Sequence, residues 1–124
     1  MITGVDVVTL PASDMARAAA FYRDILGLQT SSPPSDRNLE FAIGAQTPCL
    51  MRLEVLGMPF QPAASVMLSL AVADVDQAVA DLLAKGLPFA QPVMDTGVCK
   101  MAFGHDPEGN ALMLHRRYAA ESLN

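Results

Sequence analysis

Val7-Val8-Thr9-Leu10 and Met67-Leu68-Ser69-Leu70 lie sixty residues apart, and the chain on either side repeats with them. Each segment leads to an aspartate (Asp14, Asp74), then to an apolar residue (Met15, Val75). Alanines follow at matching places, Ala18 with Ala78 and Ala20 with Ala80. Each run ends at a glycine, Gly27 or Gly86, one residue out of step. Self-similarity on this scale means one supersecondary unit used twice. Two such units fill 124 residues, the length of one domain. The expected organisation is therefore a single domain over 1–124, with a first module at 1–60 and a second at 61–124.

Within each copy the order of elements can be read locally. Residues 5–10 and 66–72 are short, β-branched or apolar, and stop at small polar residues, as strands do. Asp14 and Asp74 suit helix N-caps, and Gln77 stands where a capping box with Asp74 needs it. Apolar residues then recur at helical spacing: Met15, Ala18, Ala19, Tyr22, Ile25 and Leu26, and again Val75, Ala78, Val79 and Leu82. Gly27 and Gly86 fall where a left-handed residue closes a helix. Shorter strands are expected at 38–44 and 49–56 in the first copy, and at 88–93, 97–104 and 110–116 in the second. Asp106-Pro107-Glu108-Gly109-Asn110 has the chemistry of a tight turn, and 57–65 reads as the linker. The order βαβββ, twice, predicts an α+β fold of curved sheets around a central cleft, with helices on the outer faces.

Composition excludes several classes of function. A net charge of -5, with eight basic residues scattered apart from Arg116-Arg117, does not suit a surface that tracks phosphates, so no nucleic-acid partner is expected. No apolar run reaches membrane-spanning length, and MITGVDVVTL does not read as a signal peptide. Cys49 and Cys99 lie far apart without C-x-x-C spacing, and are expected as free buried thiols in the cytoplasm.

Several segments together resemble the vicinal oxygen chelate superfamily, which includes glyoxalase I, ring-cleaving dioxygenases and bleomycin-resistance proteins. They are LPASD, FYRDILGL at Phe21–Leu28, LAVADVDQAV, and DPEGNALML at Asp106–Leu114. The resemblance covers nearly the whole chain but fixes no activity, because this fold hosts unrelated chemistries. In metal-dependent members it implies His or Glu ligands at positions that fall here on Val7, Met67 and Met113, with a fourth near Glu54. Valine has no lone pair, and a thioether is too soft for magnesium, zinc or iron(II). No metal and no other cofactor is expected. The resemblance also implies a homodimer.

The remaining chemistry is sparse. Of the two histidines, His105 borders the turn, while His115 shares strand parity with Met113 and can face the cleft. Arg52 and Glu54 interrupt the apolar strand LMRLEVL, where alternation sends both to one open face. Phe41 and Phe60 can stack on a planar ligand or simply pack in a core. Val7, Met67 and Met113 supply an apolar wall, and Thr9, Ser69, Arg52, Glu54 and His115 are the candidate polar anchors. A ligand burying about 300 Å² of apolar surface gains roughly 7 kcal/mol before ordering costs. Three functions stay open. The first is a metal-free protein that binds or sequesters a small organic molecule. The second is an enzyme, with Glu54 or His115 as general base or with shifted metal ligands. The third is a dimeric scaffold domain.

Overall fold

A computed structural model describes residues 1–33, 35–87 and 92–119. Contacts divide the chain into two compact units. One comprises Met1–Ala63 with Asp106–Asn110, the other Ala64–His105 with Ala111–Asn124. Each unit carries the same βαβββ order. In the first it is β1 (Val8–Pro11), α1 (Met15–Ala20), β2 (Gln29–Thr30), β3 (Asn38–Ala42) and β4 (Pro48–Met51). In the second it is β5 (Leu68–Ala71), α2 (Val75–Ala84), β6 (Met94–Asp95), β7 (Cys99–His105) and β8 (Ala111–Arg117). The four-stranded sheets have orders β1-β4-β3-β2 and β5-β8-β7-β6. In each, the first strand runs parallel to the last and the other pairs are antiparallel. The fold is α+β, built from tandem βαβββ modules. The expected strand at 88–93 lies largely outside the described residues.

Both helices start where the sequence places them. Asp14 and Asp74 are extended, and each side chain accepts the N–H three residues on, from Arg17 and Gln77, at 3.0 Å. The capping box is half made, because the Gln77 amide turns along the helix to Asp81 at 2.8 Å. The first helix does not run unbroken to Gly27. After Ala20 it widens into a π-helical turn, Phe21–Ile25, whose ring residues Phe21 and Tyr22 are buried. Gly27 and Gly86 take φ of 73° and 86°, the left-handed region that a side chain would resist.

Alternation sorts each sheet into two faces. In the first unit Leu10, Leu50 and Leu39 share a rung and are all buried. They join Met15, Ala18 and Ala19 of α1, while Tyr22 lies between Phe21 and Phe41 with ring centroids 5.0 and 5.6 Å away. In the second unit Leu112, Leu114 and Ala102 pack with Val75 and Leu82 of α2.

The turn Asp106–Asn110, which joins β7 to β8, is part of the first unit's interior. Asp106 Oδ2 accepts from the Tyr22 hydroxyl at 2.6 Å and from Asn110 Nδ2 at 2.8 Å. Its Oδ1 accepts the N–H groups of Glu108 and Asn110, both at 2.9 Å. Asn110 also donates to Pro11 O at 2.9 Å and accepts from Ala63 N at 2.8 Å. Glu108 reaches the start of α1, accepting from Ser13 N and Asp14 N at 2.9 Å and from Ser13 Oγ at 2.6 Å. Read from sequence, these five residues are only a turn; nothing in their composition names the segment before α1 that they hold.

Candidate functional site

The face of each sheet turned away from its helix is where polar and apolar side chains mix. In the first unit Thr9, Cys49 and Glu40 share a rung, and Pro11, Met51 and Asn38 share another. In the second unit the matching rungs are Ser69, Met113 and Phe103, then Ala71, His115 and Met101. Val7 and Met67 lie one residue before β1 and β5, and both are exposed. The hydroxyl of Ser69 lies 3.5 Å from the Met113 sulfur, a weak contact that leaves both able to meet a ligand. His115 is half-buried on this face, two residues along β8 from Met113.

Arg52 and Glu54 are placed differently from their expected positions. The strand LMRLEVL ends at Met51, and Leu53–Leu56 form a 3₁₀ turn closed by Gly57 at φ 79°. Strand alternation therefore does not apply to Glu54, which is exposed on that turn. Arg52 precedes the turn, with its guanidinium 3.7 Å from Asp36 and 3.8 Å from Glu54, and its Nε is buried without a partner. A hollow of about 260 Å³ is lined by Arg37, Asn38, Met51, Val55 and Leu56. Sequence reasoning passed over Arg37. It lies one residue before β3, and its type and position in the sequence do not by themselves mark it out.

The rungs bear on the fourth position that the resemblance puts near Glu54. Thr9 pairs with Cys49 as Ser69 pairs with Met113, so the counterpart of Met113 is Cys49 and not Glu54. Burial first, and then the Glu40 carboxylate, raise the Cys49 thiol above its ordinary pKa, although an N–H from Leu39 opposes them. It is a protonated thiol donating to Leu50 O at 3.4 Å rather than a thiolate ready for a metal. Val7 and Cys49 in the first unit, and Met67 and Met113 in the second, thus offer no oxygen or nitrogen donor, and neither pair fits a hard divalent cation. Among the described residues no group of three or more His, Cys, Asp or Glu is disposed to hold a metal ion.

Residues 4–114 match the sequence profile of the Glyoxalase/Bleomycin resistance protein/Dioxygenase superfamily. No curated protein matches significantly. Solved structures similar to the chain include a glyoxalase/bleomycin resistance protein/dioxygenase from Nocardioides, with TM-score 0.81 and 18% identity, covering 100% of this chain and 89% of that one. Another is a lactoylglutathione lyase from Agrobacterium tumefaciens, with TM-score 0.76 and 19% identity, covering 92% and 93%. A third is TnmS3, an antibiotic binding protein from a Streptomyces species, with TM-score 0.77 and 27% identity, covering 94% and 97%. At these identities the first two establish the fold alone. Among the described residues no helix is long and apolar enough to cross a membrane.

Proposed function

The chain belongs to the Glyoxalase/Bleomycin resistance protein/Dioxygenase superfamily, and from that membership we propose that it binds a small organic molecule on an open sheet face without a metal. The observation that carries this reading is the chemistry of Val7, Cys49, Met67 and Met113, hydrocarbon and soft sulfur where metal-dependent relatives hold hard donors. Val7 and Thr9 flank the first module's face, with Arg52 and Glu54 at its margin. Met67, Ser69, Met113 and His115 are the corresponding contacts on the second. Flexible thioethers make an adaptable apolar wall, and a few polar groups orient the guest. The similarity to an antibiotic binding protein supports sequestration over turnover. A homodimer in the cytoplasm belongs to the same reading.

Protein purified without chelator, examined by elemental analysis, should carry far less than one ion per chain. A tightly held stoichiometric ion would end the metal-free reading. A thermal-shift screen with aromatic and peptide-like antibiotics then separates a binder from a scaffold, which no compound would stabilise. Were the protein an enzyme instead, His115 is the better-placed general base, because Glu54 has left the sheet. His115→Ala should abolish proton transfer in an enzyme and leave sequestration intact.

A further inference from the structure

Matching the rungs of the two sheets pairs residues that the sixty-residue repeat alone does not align. Thr9, Cys49 and Glu40 correspond to Ser69, Met113 and Phe103, so Arg52 corresponds to Arg116 and Arg37 to Lys100. In both units these two basic residues face one another across neighbouring strands. Lys100 pairs in register with Arg116, and Arg52 N–H donates to Arg37 O at 2.9 Å.

Their surroundings differ. In the second unit both cations are satisfied internally: Lys100 Nζ donates to Asp76 at 2.9 Å, and Arg116 Nη1 donates to Ala73 O at 2.6 Å. The helix position matching Asp76 is Ala16 in the first unit, one residue after Met15 as Asp76 is after Val75. With that carboxylate missing, the Arg37 guanidinium has no hydrogen bond or ion pair among the described residues. Arg52 keeps a long bond of 3.4 Å to Asp36 O and loose ion pairs at 3.7 and 3.8 Å, to carboxylates 84% and 48% exposed. Pairs that long and that wet hold little, and the Arg52 Nε remains without an acceptor. Beside Arg37 lies the 260 Å³ hollow whose other walls include Met51, Val55 and Leu56.

We infer that the first module selects a small organic anion, a carboxylate on an apolar body, anchored by Arg37 and seated against Met51, Val55 and Leu56. This deepens the small-molecule reading and rests on it. A guanidinium fork matches a carboxylate in two parallel hydrogen bonds, and a largely apolar hollow favours an anion of low charge over a phosphate. The chain's overall charge of -5 does not oppose this, since charges beyond about 8 Å are screened at physiological ionic strength. Arg37 is exposed, so the guest's carboxylate takes the place of water around its guanidinium.

The test is calorimetric titration of the full chain with 2-naphthoate and with neutral 2-naphthamide, which share the apolar body. Naphthoate should bind at least about ten-fold more tightly, the factor a single charge-assisted contact supplies. Arg37→Gln should erase that preference, Arg37→Lys should keep part of it, and Lys100→Gln, altering the satisfied counterpart, should leave it unchanged. Equal binding of the two probes, or equal damage from Lys100→Gln and Arg37→Gln, overturns the inference. If antibiotics bind and naphthoate does not, anion selection falls while small-molecule binding stands. If nothing binds, both fall.

Discussion

Glu108 has both carboxylate oxygens committed to the start of α1, with Arg17 a further 3.5 Å away. Burial pushes its pKa up, but the Ser13 hydroxyl, the Ser13 and Asp14 N–H groups and Arg17 together outweigh burial and hold it below the usual 4.5. A depressed folded pKa gives stability that is complete above the unfolded value and drains away as pH falls through the folded one. Denaturant melts followed by far-UV circular dichroism should therefore lose midpoint below about pH 4.5, and Glu108→Ala should flatten that part of the profile. The substitution should also cost about 1–3 kcal/mol at neutral pH, since the Ser13 and Asp14 donors just before the helix lose a charged acceptor. A pH profile unchanged by Glu108→Ala would remove this role. Tyr22 is the companion case. Burial, then the Asp106 charge and hydrogen bond, raise its phenol far above the ordinary range, so it acts purely as a donor.

At the scale of elements, much was legible. The repeat, both helix starts, the glycines that close the helices and the βαβββ order follow from spacing, because periodicity and capping are local properties. What escaped is non-local. A sequence that reads as strand through 56 breaks after Met51, where Leu53–Leu56 turn into a 3₁₀ helix that Gly57 closes. That break takes Glu54 off the strand, and Arg37 stands out only when its rung is compared with that of Lys100. The burial of β4 has its own consequence. Pro48, Cys49 and Leu50 are all inaccessible, and Cys99 on β7 is equally buried. A thiol reagent such as Ellman's should label neither cysteine in native protein and both after denaturation. Rapid labelling of Cys49 under native conditions would contradict a closed, protonated thiol.

At the scale of the molecule, duplication has not left two interchangeable halves. Five residues that the chain supplies between β7 and β8 complete the interior of the first unit. A polypeptide ending at Ala63 would keep every strand and helix of the first module, yet Tyr22 would have no acceptor, Pro11 O and Ala63 N would lose Asn110, and α1 would lose Glu108. Expressed alone, that fragment should show neither cooperative unfolding nor native circular dichroism, and supplying the remaining residues as a second chain should restore both. A fragment that folded unaided would show the turn to be dispensable. Substitutions in the β7–β8 turn therefore act on the earlier module, and a cut after Ala63 takes away part of its lining.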